Sequence, residues 1–159
     1  MTLTIAVLKE TAAHERRVAA IPETVKKYIA LGCAVHVQQG AGVEASYLDD
    51  MYKAAGASIM TSAAECVRDA DIILSVQAPD AATIAHMKKG AILAGILSPY
   101  KNDALLKDLA AHGVNGFAME LVPRITRAQA MDVLSSQSNL SGYKAVLDAC
   151  AYFTRGFPM

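Results

Sequence analysis

The chain has 159 residues, of which 53% are hydrophobic, so it is long enough and apolar enough to bury a core of its own. Its 15 basic and 15 acidic residues balance and form no basic stripe, which argues against a protein that binds nucleic acid through phosphate contacts. The longest apolar run, Ala91 to Leu97, is far shorter than the roughly 20 residues of a membrane span, so we expect no direct membrane insertion by this chain.

Short apolar runs alternate with helical patterns along the whole chain. Helix boundaries are marked by proline at the start and glycine after the end, as at Pro22 and Gly32. The predicted strands cover residues 3–8, 33–37, 57–60, 71–76, 91–97 and 114–119. The predicted helices cover residues 22–32, 47–55, 79–87, 103–111 and 136–153, with a further short helix starting at residues 61–65. Several strands are apolar throughout, which favours an open, mostly parallel α/β sheet with both faces covered, in one domain without repeats or linkers.

A glycine-rich segment follows the second predicted strand. Residues 40–45 read Gly-Ala-Gly-Val-Glu-Ala and match the loose form of the dinucleotide fingerprint, in which backbone amides at a glycine turn meet a pyrophosphate. The fingerprint normally follows the first strand, and the acidic residue expected about 20 positions later is missing, because Met60 and Thr61 stand there. We therefore interpret the segment as a structural glycine turn rather than a nucleotide site.

Charged residues follow the first predicted strand, at the sheet edge where α/β proteins usually bind ligands. They are Lys9, Glu10, Glu15, Arg16 and Arg17, and they could bind an anion. The alternative is a solvated loop whose surface ion pairs contribute little stability, and composition favours that alternative.

A polar segment at residues 123–139 follows the last predicted strand, again at a plausible ligand edge. Arg124 can fork onto a carboxylate, a carboxamide or a phosphate. Gln129, Asp132 and Ser135 recur at intervals of three, so a helical turn would place them on one side, where they could orient a polar ring substituent or a ribose. A capped helix start with its own local hydrogen bonds explains the spacing equally well.

The histidines and cysteines show no pattern of metal binding or nucleophilic catalysis. None of the four histidines has a partner four residues away or a cysteine at metal-ligand spacing, so no metal site is predicted. The three cysteines are widely spaced and odd in number, which fits a reducing compartment and roles as small buried apolar residues.

Two long segments resemble a known family. Residues 5–46, IAVLKETAAHERRVAAIPETVKKYIALGCAVHVQQGAGVEAS, resemble the N-terminal domain shared by alanine dehydrogenases and proton-translocating NAD(P) transhydrogenases. Residues 119–146, MELVPRITRAQAMDVLSSQSNLSGYKAV, are similar to the transhydrogenase branch in particular, in its NAD(H)-binding alpha subunit. The resemblance covers nearly the whole chain and implies a flavodoxin-like or Rossmann-like sheet flanked by helices.

Two positions separate the branches of this family. In alanine dehydrogenases a lysine holds the substrate carboxylate, and Gln77 stands at the matching position in this sequence. The catalytic histidine of alanine dehydrogenases is matched by Ser98, which cannot act as an imidazole general base. The resemblance therefore implies a transhydrogenase. The alternatives are an alanine dehydrogenase-type amino-acid oxidoreductase domain and a non-catalytic dimerisation or regulatory module.

The transhydrogenase resemblance also implies roles for four residues of the polar segment. In that family hydride passes directly between NAD(H) and NADP(H), so the protein has to orient two nicotinamide rings. Arg124 and Ser135 are expected to fix the carboxamide of NAD(H), with Asp132 holding Arg124 in place. Gln129 is expected to reach the nicotinamide ribose of the opposing NADP(H). We thus expect Arg124, Gln129 and Asp132 to serve catalysis, and all four residues to bind the cofactor.

A larger assembly is implied as well. Residues 1–140 are expected to be the truncated first domain of a two-domain protein, and residues 141–159 the start of a connecting helix toward an NAD-binding domain that this chain lacks. The implied partners are a second alpha subunit in a homodimer, an NADP(H)-binding component and a membrane component with the proton channel. The implied location is cytoplasmic, peripheral to the inner membrane through the intact complex, and this chain alone is expected to be inactive.

Overall fold

A computed structural model describes residues 2–156, which contain one sheet of six parallel strands. The strands are β1 (Thr4–Val7), β2 (Ala34–Gln38), β3 (Ser58–Met60), β4 (Ile72–Gln77), β5 (Ile92–Ile96) and β6 (Asn115–Ala118). Their order across the sheet is β3-β2-β1-β4-β5-β6, with every neighbouring pair parallel. This is the order of doubly wound dinucleotide-binding sheets, so the predicted fold class is confirmed in its Rossmann-like form.

The helices begin and end close to the predicted signals. They are α1 (Pro22–Ala30), α2 (Asp49–Ala54), α3 (Ala63–Val67), α4 (Ala81–Ala85), α5 (Asp103–His112) and α6 (Val133–Tyr152). Pro22 opens α1, and the side chains of Ser62 and Asp80 cap α3 and α4 by accepting backbone N–H groups. Gly113 ends α5 in the left-handed conformation, with φ of +65°. Local sequence therefore sets most element boundaries.

The sheet buries apolar residues on both faces, as its uninterrupted apolar strands predict. On the central strand, Val7 and Ala6 lie on opposite faces, because side chains alternate along a strand. Val7 belongs to a cluster with residues of α1 and α2, including the fully buried Tyr52. Ala6 belongs to a second cluster with Ile73 of β4, Leu93 of β5 and residues of α3, α4 and α5. Two cores therefore hold the sheet between two helical layers.

The chain divides into two compact units, the first ending at Ala118 and the second beginning at Met119. The first contains the sheet and helices α1–α5. The second contains 3-10 helices and α6, which starts three residues before the predicted residue 136 and has no buried residue. Helix α6 continues without a break across residue 140, where the sequence led us to place the domain boundary. Residues 157–159 of the expected connecting helix lie outside the described residues.

Helix α6 is the longest helix in the described residues, at 20 residues. Its surface carries a Lys144–Asp148 ion pair one helical turn apart. Between residues 2 and 156, no helix combines the length and the apolar character that crossing a bilayer requires.

Candidate functional site

The glycine-rich segment after β2 is a structural turn, as predicted. The Gly40 N–H donates to Asp49 Oδ1 at 2.9 Å, so this amide is engaged within the chain. Gly40 has φ of +73°, a left-handed conformation that favours glycine. At Gly42, an added Cβ would lie 2.7 Å from the Tyr47 carbonyl and from the Tyr52 ring. Contacts inside the protein therefore account for both glycines, without a pyrophosphate.

Replacing Gly42 by alanine is expected to destabilise the protein by about 1–3 kcal/mol, because the added methyl group would overlap the buried Tyr52 ring and the Tyr47 carbonyl. Urea unfolding followed by circular dichroism measures the change. Gly142→Ala is the control, since nothing lies within 4 Å of a Cβ at Gly142 and alanine is the better helix former. Equal unfolding midpoints for the Gly42→Ala variant and the wild type would contradict the prediction.

Two of the charged residues after β1, Glu10 and Glu15, are tied to the end of β4, which corrects the expectation of a solvated loop for these two. Glu10 Oε1 accepts the Val76 N–H at 2.6 Å, and Glu10 Oε2 accepts the Gln77 N–H at 3.0 Å. These two amides lie where the register between β4 and β5 shifts, between Leu74 and Gln77. Such an irregularity disrupts the ladder of hydrogen bonds, and the Glu10 carboxylate supplies acceptors at this point. Burial raises the pKa of Glu10, while the two amides act to lower it.

Glu15 extends this network across the same edge of the sheet. Gln77 Nε2 donates to Glu15 Oε2 at 3.0 Å, and Arg17 forks onto both Glu15 oxygens, at 2.7 Å from Nε and 2.5 Å from Nη2. The hydrogen bonds from Arg17 are the main reason that the pKa of Glu15 falls to about 2. The Glu15 side chain is 8% exposed and the Arg17 side chain 41%, so the carboxylate is shielded from water while the guanidinium remains partly hydrated. Arg17 binds an internal carboxylate and not an external anion in this arrangement.

The polar segment of the second unit forms a capped helix start. A 3-10 helix covers Thr126–Met131, and Asp132 then adopts an extended conformation as the N-cap of α6. Asp132 Oδ1 accepts the Ser135 N–H at 3.0 Å, and Asp132 Oδ2 accepts the Ser135 hydroxyl at 2.5 Å. Gln129 and Ser135 therefore lie on two different helices, which corrects the expectation that one helical turn aligns them.

The four predicted site residues nevertheless line one cavity, which we call the Arg124 cavity. It has a volume of about 270 Å³, and its lining consists of Arg124, Ile125, Thr126, Gln129, Asp132 and Ser135. A second cavity of about 490 Å³ shares three of these residues, Gln129, Asp132 and Ser135, and also includes Met119 and Asn139. Sequence reasoning did not name Thr126 or Asn139 as site residues, although both are polar members of the segment at residues 123–139.

Asp132 is the buried carboxylate of the Arg124 cavity, with 8% of the residue exposed. The hydrogen bonds from the Ser135 hydroxyl and N–H are the main causes that lower the pKa of Asp132, and the positive charge of Arg124 adds to them. Within residues 2–156, no hydrogen bond or ion pair joins Arg124 directly to Asp132. Asp132 therefore orients Ser135 in this structure. Arg124 affects the Asp132 carboxylate only through the electrostatic attraction of its charge.

Comparison with known proteins identifies the family. The model of a protein family described as "Alanine dehydrogenase/PNT, N-terminal domain" matches residues 6–141. The chain belongs to this family. It is similar to the first of the polypeptides that make up NAD(P) transhydrogenase subunit alpha of Rhodospirillum rubrum, with 48% identity over 98% of this chain and 42% of the relative. It also superposes on the crystal structure of transhydrogenase from Sinorhizobium meliloti with a TM-score of 0.91 and 45% identity, covering 98% of this chain and 46% of that one.

Alanine dehydrogenases are more distant members of the alanine dehydrogenase/PNT family. Alanine dehydrogenase 1 of Staphylococcus aureus (strain bovine RF122 / ET3-1) is 29% identical over 93% of this chain and 38% of the relative. The resemblance to the transhydrogenase branch is therefore confirmed. The chain spans less than half the length of these curated relatives.

Gln77 and Ser98, which the resemblance led us to compare with two functional residues of alanine dehydrogenases, lie at neighbouring strand ends. Gln77 is the last residue of β4, and its side-chain amide donates to Glu15. Ser98 follows β5 with φ of +49° and precedes a 3-10 turn over Pro99–Lys101. Gln77 offers no cation and Ser98 no imidazole at this edge of the sheet.

Proposed function

We propose that this chain forms part of the NAD(H)-binding component of a proton-translocating NAD(P) transhydrogenase, in which hydride passes between NAD(H) and NADP(H). Its contribution is the loop on the nicotinamide side of NAD(H). The observation that carries this proposal is the Arg124 cavity, which gathers Arg124, Gln129, Asp132 and Ser135 from one short segment. The high identity to transhydrogenase alpha subunits over nearly the whole chain supports the same assignment.

The side chains of the Arg124 cavity have the donors and acceptors that a nicotinamide carboxamide requires. The Arg124 guanidinium can only donate, so it suits the carboxamide oxygen. The Ser135 hydroxyl gives its hydrogen to Asp132, which leaves its oxygen able to accept from the carboxamide nitrogen. Asp132 thus acts as a positioning residue for Ser135. When bound, the nicotinamide supplies the ring that carries the hydride, and the protein fixes its orientation.

Gln129 lies where the two cavities of the polar segment meet, since it lines both. Its side-chain amide both donates and accepts hydrogen bonds, as a ribose hydroxyl also does. We assign it to the nicotinamide ribose of an NADP(H) held by the partner component. There it would help to align the two rings, and such alignment is a large part of the rate of a direct transfer.

The proposed enzyme also requires components that this chain does not supply. Residues 141–159 lead toward the domain that holds most of the NAD(H), and the alpha subunit forms a homodimer. An NADP(H)-binding component and a membrane component with the proton channel complete the complex. The assembled enzyme places this domain on the cytoplasmic side, peripheral to the inner membrane. The greater length of the transhydrogenase relatives supports this arrangement.

An alanine dehydrogenase-type domain is the alternative within the family. That activity needs a cation for the substrate carboxylate and a general base. Gln77 is uncharged and hydrogen-bonded to Glu15, and Ser98 carries no basic group, so the strand ends favour the transhydrogenase. The second alternative, a non-catalytic dimerisation or regulatory module, predicts neither activity.

A full-length subunit that contains this chain should transfer hydride from NADPH to an NAD analogue with a shifted absorbance, once it is mixed with the NADP(H)-binding component. The Gln129→Asn variant, shorter by one methylene, should transfer hydride about tenfold more slowly. An unchanged rate in this variant would remove Gln129 from the mechanism. Alanine-dependent reduction of NAD would instead favour the dehydrogenase, and the absence of both activities would favour the non-catalytic module.

A further inference from the structure

A third cavity lies in the first unit and shares no residue with the Arg124 cavity. It has a volume of about 270 Å³ and is lined by residues 8–12, which follow β1, and by Ser75 and residues 77–80 at the end of β4. β1 and β4 are adjacent in the sheet, and the chain leaves them toward opposite sides, which opens a crevice at their carboxyl ends. Open α/β sheets bind ligands at this place. We call this space the Ser75 cavity.

Ser75 has a buried hydroxyl group without a partner. The residue is 6% exposed, and its Oγ makes no hydrogen bond in the structure. A buried hydroxyl in this condition costs about 1–3 kcal/mol, so proteins rarely keep one. On the neighbouring β5, a Cβ at Gly95 would lie 2.8 Å from Ser75 Oγ, so glycine at this position leaves room for the hydroxyl. A ligand that hydrogen-bonds to Ser75 would remove the cost.

The charged groups that line the Ser75 cavity are mainly hydrogen-bond acceptors. Glu10 accepts two backbone amides, and each of its oxygens keeps a further lone pair. Asp80 caps α4 through Oδ1, which accepts the Thr83 N–H at 2.8 Å, and the Thr83 side chain also hydrogen-bonds to this carboxylate. Lys9 supplies the cation in this lining. Its ammonium group lies beside Gly40, since a Cβ built at Gly40 would be 3.7 Å from Lys9 Nζ. A ligand with a carboxylate would therefore meet two carboxylates and be repelled.

We propose that the Ser75 cavity binds a small uncharged ligand with neighbouring hydroxyl groups, such as the vicinal diol of a pentose. One hydroxyl pairs with Ser75 Oγ, and its neighbour donates to the Glu10 carboxylate. In dinucleotide-binding sheets of the same topology, an acidic side chain likewise accepts a hydrogen bond from a ribose hydroxyl. The inference does not rest on the proposed function, because the residues involved all belong to the first unit.

Saturation-transfer NMR on the purified chain tests the site with D-ribose, adenosine and pyruvate. D-ribose should bind with a dissociation constant on the order of 1 mM, as expected for a ligand with few polar contacts, and pyruvate should not bind. The backbone amide signals of Val76 and Gln77, which Glu10 holds, should shift during the titration. Equal affinities for ribose and adenosine indicate a free sugar, whereas tighter adenosine binding indicates a nucleoside.

Ser75→Ala removes the hydroxyl and should weaken ribose binding at least about fivefold. It should not lower the melting temperature, because no internal hydrogen bond is lost. Ser58→Ala, at an exposed position of β3, is the matched control and should bind ribose as the wild type does. The proposal is overturned if pyruvate binds in place of ribose, if neither ribose nor adenosine shifts the Val76 and Gln77 amides, or if Ser75→Ala lowers the melting temperature.

Discussion

Replacing Arg124 by alanine is expected to slow hydride transfer about 100-fold in a subunit that contains this chain, because the nicotinamide loses the donor that fixes its carboxamide. A misplacement of the ring by roughly 1 Å is enough for an effect of this size. Single-turnover transfer at saturating NAD(H) measures the change, so that weaker binding is not mistaken for slower transfer. Because the Arg124 side chain is exposed and contributes little to folding, a slower transfer would reflect the loss of its contact with the cofactor. This prediction therefore depends on the proposed function.

Arg127→Ala is the matched control for this experiment. Arg127 lies three residues away, is also exposed and lines neither cavity of the polar segment, so its loss should leave the rate unchanged. Arg124→Lys keeps the charge but loses the two-pronged donor, and an intermediate rate is expected. If Arg124→Ala transfers hydride within about twofold of the wild type, Arg124 does not orient the cofactor.

Replacing Glu15 by glutamine is expected to destabilise the protein at neutral pH by on the order of 1–3 kcal/mol, after allowance for the exposure of Arg17, whose side chain is 41% accessible. The pKa of Glu15 is about 2 in the folded protein, below its ordinary value of 4.5. A depressed pKa stabilises the folded state at pH values above the ordinary pKa, and this contribution is lost as the pH falls through the folded value. The difference between wild type and variant should therefore shrink between about pH 4.5 and pH 2.

Urea unfolding of both proteins across this pH range measures the difference in the free energy of unfolding. The raised pKa of Glu10 changes the stability with pH in the opposite direction. Because Glu10 is present in both proteins, the difference between wild type and Glu15→Gln reports the contribution of Glu15 alone. Glu44→Gln, at an exposed position, serves as the control and should change the stability little at any pH. A stability difference between wild type and Glu15→Gln that stays constant from pH 7 to pH 2.5 would disprove the assignment.

The strands of this sheet could be predicted from the sequence because their positions depend on the residue types of short segments and not on distant parts of the chain. The run at Ile92–Ile96 is apolar because helices or neighbouring side chains cover both of its faces, and this shows directly in the residue types. Helix boundaries at Pro22 and Gly113 depend on contacts within a few residues. The strand order could not be deduced in the same way, because the pairing of Ile5 with Ile72 joins distant parts of the chain.

The sequence could predict that the polar side chains of the candidate site lie close together, but not the geometry in which they are held. Gln129, Asp132 and Ser135 are so close in sequence that any local structure keeps them together, and a spacing of three suits a helical face and a cap equally. The network after β1 was missed for a different reason. Glu10 and Val76 are 66 residues apart, and the amides that donate to Glu10 lie at a shift in strand register. Such a shift leaves no mark in the pattern of side chains.

The position of β1 in the middle of the sheet has a consequence for biosynthesis. β1 pairs with β2 on one side and with β4 on the other, and β4 is made much later. From the time residue 38 leaves the ribosome until residue 77 follows, the second edge of β1 has no native neighbour. An open apolar edge is a template for pairing with foreign strands, and closing it needs a slow, long-range contact. Protection by a chaperone would matter most in this interval, before the sheet is closed by β4.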